Sequence, residues 1–227
     1  MKLAFNTQHP VVRPFVIKMF ALIASMAISA PMARAANTNF YEIVYEDGVA
    51  VFMVGQATPN VIIDNYVDVA GVYYPVRIVH NNAFRARHDI TGVYLPGGIT
   101  NIQPLAFAYS STVKDVIFGD NTYGDDLVVG SSAFAVCPAL ASIELPARID
   151  RIEDMAFHDC KNLMKVYFSG AFPVHSIGGL AFYGTGGASK TLTIYCRLAE
   201  LAKFQNLTNS TSLLRGNDGG NIVIQVY

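Results

Sequence analysis

The sequence predicts a β-rich fold of the α/β class, built from short units that stack into a solenoid. The first observation is a recurring Ala-Phe pair, found at 83–84, 106–107, 133–134, 156–157 and 181–182. Successive Phe residues are therefore 23, 27, 23 and 25 residues apart. The second observation is that apolar residues recur in the same register around each Phe. A unit of this length cannot enclose a core alone, so stacking must turn each apolar position into a continuous column.

The apolar columns are set relative to the Phe of each unit. Four residues before each Ala stands an aliphatic residue: Val79, Ile102, Val129, Ile152 and Ile177. Nine and eleven residues after the first four Phe stand further apolar residues: Val93, Val116, Ile143 and Val166, then Leu95, Phe118, Leu145 and Phe168. The fifth copy is degraded, and Leu192 and Ile194 are assigned to these columns one residue late. A period in the low-to-middle twenties is typical of leucine-rich repeats.

The strand of each unit is predicted by the spacing of Leu140, Ile143 and Leu145. Side chains alternate along a strand, so Ile143 and Leu145 should point inward and Glu144 outward. Pro146 should end the strand, because proline has no N–H to donate to a neighbouring strand. The Ala-Phe pair is expected on the return side, where a small Ala allows close approach and the Phe fills the core.

Residues 129–146 and 152–168 resemble the BspA-like leucine-rich repeats of bacterial surface proteins, whose motif is similar to I-x-x-x-A-F-x-x-C-x-x-L-x-x-I-x-L-P. The resemblance covers residues 79–195, or about five repeats. It implies a leucine-rich-repeat solenoid with short strands on its concave face. It also implies a non-enzymatic role in adhesion or in binding host matrix or surface proteins.

A secretory signal peptide is predicted at the N-terminus. A 12-residue apolar run at 19–30 follows a basic leader, and Ala-Arg-Ala at 33–35 suits cleavage after Ala35. A membrane anchor is the alternative, although the run is short for a bilayer span. We expect an exported protein without a membrane span after cleavage, located at the cell surface, secreted or in the periplasm. The predicted organisation is a signal peptide at 1–35, a β-rich N-terminal cap at 36–78, the repeats at 79–195 and a C-terminal cap at 196–227.

Two features of the caps are readable in the sequence. Asp47-Gly48 lies between two alternating apolar runs and predicts a β-hairpin. The C-terminal cap should contain a short helix at 197–206 and a last strand at 222–227.

Composition and motifs exclude several functions. Only 15% of residues are charged and the formal net charge is −1, so no basic surface for nucleic acid is expected. No sequence motif for catalysis or nucleotide binding occurs, and we predict neither an enzyme nor a cofactor. Cys137 and Cys160 share one repeat position. Buried, inert thiols are the favoured interpretation, with a mutual disulfide or a reactive thiol as alternatives.

The predicted binding surface is the outward side of the strands. Ten residues after successive Phe residues stand Tyr94, Ile117, Glu144 and Tyr167, and Lys165 flanks the last of these. Exposed aromatic residues in a row often mark a contact surface. We therefore predict a protein ligand on the concave face. The alternatives are a glycan-binding component of a surface nutrient system and a structural protein of the cell envelope.

One insertion carries a second, less favoured site. Residues 119–126 lengthen one unit and hold four oxygen-bearing side chains: Asp120, Asn121, Asp125 and Asp126. Such oxygens can bind Ca²⁺, but their spacing fits no EF-hand loop. A solvated loop is the favoured interpretation, and no metal is predicted.

Overall fold

The computed structural model describes residues 41–44, 49–52, 59–69, 71–120, 125–170, 176–208, 214–216 and 218–227. The predicted signal peptide, the Asp47-Gly48 turn and Asn121 lie outside these ranges. Within them short strands dominate, and most strand pairs are parallel. This confirms the β-rich prediction.

One set of strands forms what we call the front ladder. Its described members are β3 (Asn60–Ile62), β6 (Gly92–Leu95), β8 (Asp115–Phe118), β10 (Ser142–Leu145), β12 (Lys165–Phe168), β14 (Thr191–Cys196) and β15 (Asn221–Val226). Parallel pairing links β3, β6 and β8 in one sheet and β10, β12, β14 and β15 in another. β8 and β10 are neighbours without ladder hydrogen bonds, where the insertion 119–126 enters. As predicted, Ile143 and Leu145 are buried and Glu144 is partly exposed.

A second set of strands forms what we call the back ladder, and its members beyond the predicted β-rich N-terminal cap were not expected as strands. Its described members are β1 (Tyr41–Val44), β2 (Val49–Phe52), β4 (Tyr66–Val69), β5 (Val72–Val79), β7 (Asn101–Ile102), β9 (Leu127–Val129), β11 (Ile149–Ile152) and β13 (Ser176–Ile177). β1–β2 and β4–β5 are antiparallel, and the other pairs are parallel. Val44 pairs with Val49 across the predicted hairpin. The aliphatic residue four before each Ala lies here, and Ile102 pairs with both Val79 and Val129.

The Ala-Phe turns make a third ladder, which we call the turn ladder. Two residues before and two after each Phe, φ is positive: Asn82, Leu105, Ser132, Met155 and Leu180 before, and Ala86, Tyr109, Val136, Asp159 and Gly184 after. Every second N–H of a turn points to the next unit: those of Leu105 and Tyr109, for example, donate to the carbonyls of Ser131 and Ala135. Each Phe N–H consequently donates to the next unit. The successive acceptors are the carbonyls of Ala106, Ala133, Ala156, Ala181 and Leu214, at 2.7, 2.7, 2.8, 2.9 and 3.0 Å.

The Phe side chains form a continuous stack in the core. Consecutive ring centroids lie 4.8, 4.9, 5.4 and 5.6 Å apart from Phe84 to Phe182, and the planes differ by at most 7°. All five rings and their Ala neighbours are buried. Burial of one such ring contributes roughly 1.5–3 kcal/mol. The Ala-Phe repeat therefore builds the core, as the sequence predicts.

The position three residues after Phe links adjacent units. Ser110 Oγ donates to Phe84 O at 2.6 Å, Cys137 Sγ to Phe107 O at 3.1 Å and Cys160 Sγ to Phe134 O at 2.9 Å. Both cysteines are free and buried. Burial raises the pKa of Cys160 well above its ordinary value. A neutral, enclosed thiol is a poor nucleophile, so this column is structural.

The C-terminal segment closes the turn ladder. Leu198–Glu200 form a 3-10 turn that leads into α1 (Leu201–Thr208), in the segment expected to be a short helix. Asp218 Oδ2 accepts the N–H of Gly184 at 2.7 Å, and Oδ1 accepts that of Gly220 at 2.8 Å. Arg215 is buried, pairs with Asp218 at 3.0 Å and donates to Thr185 Oγ1 at 3.0 Å. The Asp218 carboxylate thus accepts from Gly184 in the way that Tyr183 O accepts from the equivalent Asp159 N–H.

The register predicted for the fifth copy is wrong. Ile194, not Leu192, pairs with Val166 in the front ladder. The sequence placed Leu192 in that column because it follows Phe182 by ten residues. A 3-10 turn at Gly187–Ser189 takes up the extra chain before β14 begins.

Candidate functional site

The five residues predicted to bind a ligand all lie on front-ladder strands. Tyr94 pairs with Ile117, and Glu144 pairs with Tyr167. Lys165 begins β12 and is exposed, whereas the other four are partly buried. The missing ladder bonds between β8 and β10 divide the five residues into an N-terminal pair and a C-terminal group of three. The two halves have different surroundings.

Tyr94 lies along the sheet surface. A Cβ at Gly119 would be 2.5 Å from Tyr94 Oη and 3.1 Å from Cζ, so only a glycine leaves room for the ring. Burial, together with the charge of Asp120, raises the pKa of Tyr94. The ring therefore covers the start of the insertion, which reduces the area that it offers to a partner.

Tyr167 stacks on Tyr195, a residue that the sequence analysis did not select. Their ring centroids are 4.4 Å apart and their planes differ by 16°. Tyr195 was missed because the fifth copy had been read in the wrong register. In the observed register Tyr195 occupies the same column as Tyr167. The signal was present in the sequence: "TLTIYC" alternates, and shifting its apolar residues into the columns brings Tyr195 outward.

The hydroxyl of Tyr167 is buried and has no hydrogen-bond partner of ordinary geometry among the described residues. Burial, assisted by Tyr195 and Glu144, raises the pKa of Tyr167 to about 12. The phenol consequently stays neutral at physiological pH. A buried polar atom without a partner costs free energy, so this hydroxyl does not stabilise the fold.

Glu144 and Tyr227 border the tyrosine pair. Ser169 Oγ donates to Glu144 Oε1 at 2.6 Å, which holds the carboxylate beside Tyr167. Tyr227 Oη donates to Phe168 O at 2.6 Å, so the last described residue reaches from β15 to β12. Burial raises the pKa of Tyr227, although Arg197 opposes this shift. The C-terminal half of the surface thus combines three tyrosines with a fixed negative charge.

Lys165 supplies positive charge beside the tyrosine pair. Its ladder partners are Ser142 on one side and Thr193 on the other. Both are small and polar, so the ammonium group rises above its neighbours. With Glu144 nearby, the surface offers charges of both signs around an aromatic centre. That composition suits a protein partner.

The insertion that carries the predicted calcium ligands has other charges around it. Asp125 Oδ2 forms an ion pair with Arg77 Nη1 at 2.7 Å. Burial lowers the pKa of Arg148 to about 10, an effect that the nearby Asp125 and Asp126 oppose. Among the described residues, no group of three or more His, Cys, Asp or Glu side chains is arranged to hold a metal. One of the four candidate ligands, Asp125, is therefore already paired with an arginine of the chain.

Comparison with family models identifies residues 77–212 as a BspA type Leucine rich repeat region with six copies. This range covers more than half of the chain. The chain belongs to this family. The match has one copy more than the five Ala-Phe units and extends through α1. The predicted resemblance is thereby confirmed.

Solved structures of bacterial leucine-rich repeat proteins resemble this BspA-type protein. The pneumococcal vaccine antigen PcpA matches with a TM-score of 0.60 and 21% identity, covering 82% of this chain and 48% of PcpA. The chain thus spans about half the length of PcpA. A T. pallidum leucine-rich repeat protein matches with a TM-score of 0.49 and 16% identity, covering 77% of this chain and 96% of that chain. A Bacteroides capillosus protein matches with a TM-score of 0.41 and 23% identity, covering 60% and 80%.

The comparison with PcpA supports a shared fold and nothing finer, because the identity is low. Curated protein sequences gave no significant match. In the part of the chain that the structure describes, no helix has the length and apolar character of a membrane span. Family membership and fold are consistent with a protein-interaction module.

Proposed function

We propose that this BspA-type protein is an exported, non-enzymatic module that binds a host matrix or surface protein through the outward side of its front ladder. The observation that carries the proposal is the Tyr167–Tyr195 stack beside exposed Lys165. Tyrosine is enriched at the centres of protein interfaces, where it combines apolar area with a polar tip. Adhesion to host tissue would be the consequence of such binding.

Rigidity supports this proposal. Tyr167 and Tyr195 are on adjacent, hydrogen-bonded parallel strands, and their rings restrict each other's rotamers. Side chains that are already ordered lose little conformational entropy on binding, so more of the contact energy appears as affinity. The ladder therefore presents a preorganised patch.

A glycan ligand fits this patch less well. One face of Tyr167 lies against Tyr195, and its other ladder neighbour is Glu144. A sugar could therefore stack on Tyr167 only from the side of Glu144, whose carboxylate accepts from Ser169 there. The glycan-binding alternative is therefore kept as an outcome of the experiment.

The remaining architecture belongs to the same proposal. Residues 1–35 act as the signal peptide, 36–78 and 196–227 cap the two ends of a repeat solenoid, and the front ladder lines its concave side. The exported chain then resides at the cell surface, in the medium or in the periplasm. Mass spectrometry of the exported form should find an N-terminus near Ala36, and an intact Met1 would instead make the segment an anchor.

The function is tested with the purified chain on immobilised host matrix proteins and, in parallel, on a glycan array. A Tyr195→Ser, Lys165→Glu variant should lose binding to a matrix protein that the wild type retains. Tyr66→Ser, Lys161→Glu is the matched control, because both of its residues are exposed and neither lies on the outward column. Retention on glycans alone would overturn the proposal in favour of the glycan alternative. Equal binding by both variants would place the site elsewhere.

A further inference from the structure

A groove of about 760 Å³ lies along the turns of the first three units, away from the outward front-ladder column. We call it the turn groove. Its lining comes from positions two and four after Phe in each unit, together with two further residues of the first turn: Ala86, His88, Tyr109, Ser111, Val136, Pro138, Asn82 and Arg85. The groove therefore crosses unit boundaries and depends on the stacking of the units.

The left-handed turn residues give the groove its apolar wall. Tyr109 has φ 63° and Val136 has φ 56°, values that cost a non-glycine residue roughly 1–2 kcal/mol. The Tyr109 N–H offsets this cost by donating to Ala135 O at 2.8 Å, and its ring, 46% exposed, lies outside the core. The other units carry Ala, Val, Asp or Gly at this position. The left-handed turn is common to all units, whereas the exposed aromatic ring is particular to Tyr109, and exposed aromatic rings often mark contact surfaces.

One guanidinium group extends over this wall. Arg85 Cζ lies 5.5 Å from the centroid of the Tyr109 ring, and its nearest polar contact is Asn82 Oδ1 at 3.4 Å. Arg85 forms no ion pair with a described residue. Its guanidinium group therefore packs on an aromatic ring and can form an ion pair with a carboxylate of a ligand.

The basic residues next to Arg85 already have partners, so they do not compete with Arg85 for an acidic ligand. Arg87 is neutralised by a bidentate pair with Asp89, in which both N···O distances are 2.7 Å. His88 Nδ1 and Ser111 Oγ are 2.8 Å apart on the groove wall. The lining itself contains no carboxylate. The groove thus has a positive bias at one end and an apolar surface along the rest.

We propose that the turn groove binds an acidic, extended segment of a protein partner. A carboxylate of that segment pairs with Arg85, and its apolar side chains lie against Tyr109, Val136 and Pro138. A polyanion fits less well because it requires several unpaired cations, and here Arg87 is already neutralised. A sugar fits less well because the guanidinium of Arg85 covers one face of the Tyr109 ring.

The test uses the full chain and a labelled acidic peptide in which glutamates alternate with leucines. A twin with glutamine in place of glutamate isolates the charge. Fluorescence anisotropy should show that the chain binds the acidic peptide and binds its glutamine twin about tenfold more weakly. The Arg85→Gln variant should lose this preference for the acidic peptide. Tyr109→Ser should weaken binding of the acidic peptide by about fivefold. Lys114→Gln is the matched charge control, because Lys114 is exposed outside the groove lining.

Three outcomes would overturn this inference. They are equal binding of both peptides, an Arg85→Gln variant that behaves like Lys114→Gln, and retention of a sulfated polysaccharide without retention of the peptide. Tyr195→Ser should leave peptide binding unchanged, because Tyr195 lies on the front ladder. The turn groove does not rest on the front-ladder proposal, and this variant distinguishes the failure of one from the failure of the other.

Discussion

Replacing Asp218 by Asn should destabilise the C-terminal end of the turn ladder. The Asp218 carboxylate accepts N–H groups from Gly184 and Gly220 and pairs with Arg215. The Arg215 side chain is 1% exposed and that of Asp218 is 9% exposed, so neither is well screened by water. Removing one partner of a buried ion pair costs about 3–5 kcal/mol, mainly because the other charge is left uncompensated.

The size of the effect is measured by urea unfolding at neutral pH. Asp154→Asn is the matched control, since Asp154 is exposed and accepts one N–H, from Gly179, at 2.7 Å. Its loss should be about 1 kcal/mol. Hydrogen exchange at the Gly184 amide should accelerate in Asp218→Asn and stay unchanged in the control. An Asp218→Asn cost within about 0.5 kcal/mol of zero would refute the capping role.

The same variant gives a signature in pH. Burial raises the pKa of Asp218, but hydrogen bonds from Gly184, Gly220 and Arg215 outweigh burial and lower the pKa overall. The stabilisation is therefore complete above the unfolded-state pKa of about 3.9 and is lost as the pH falls through the lower folded-state value. Wild type and Asp218→Asn should converge in stability over that acidic range. A constant difference down to the lowest pH would contradict the charged cap.

Three other predictions concern the core, the turns and the tyrosine stack. Phe134→Ala and Phe157→Ala should each cost about 3–5 kcal/mol in urea unfolding, and near-wild-type stability of both would contradict the stacked register. Ala86→Gly should stabilise by about 0.5–1 kcal/mol because Ala86 is left-handed with φ 55°. Ala202→Gly, in α1, should instead destabilise by about 1 kcal/mol, and a cost in both variants would argue against the left-handed turn. Tyr167→Phe should not destabilise, because it removes a buried hydroxyl without a described partner. Wild-type stability should fall as the pH rises from the ordinary tyrosine pKa of about 10 towards the Tyr167 pKa of about 12. Tyr167→Phe should reduce that fall, and an unchanged pH slope would show that other groups cause it.

The apolar columns were predictable because they depend on the chain alone. Side chains alternate along a strand with a period of two. The inward or outward direction of Ile143, Glu144 and Leu145 can therefore be predicted without knowing which residues surround them. The Ala-Phe marker likewise repeats at nearly constant spacing, and equal spacing places equivalent residues above one another. The front-ladder strands and the buried Phe stack follow from these two rules.

The back ladder and the turn geometry were not predictable in the same way. Strands such as Asn101–Ile102 are too short to show alternation. Left-handed residues are usually recognised by glycine, yet this turn ladder uses Leu105, Met155 and Val136 at positive φ. Hydrogen bonds to adjacent units stabilise these conformations, and such bonds exist only after stacking.

The candidate site shows the same division between sequence and tertiary structure. Its outward residues Tyr94, Glu144 and Tyr167 could be predicted from the repeat, because each follows the Phe of its unit by the same number of residues. Tyr195 required the observed register, since a 3-10 turn shifts β14 relative to its Phe. The pairing of Arg215 with Asp218, and the approach of Arg85 to Tyr109, likewise depend on contacts that appear only in the folded chain. Local periodicity sets which side of a strand a residue occupies, but the neighbours it meets are set by how the units stack, and stacking is a property of the whole folded chain.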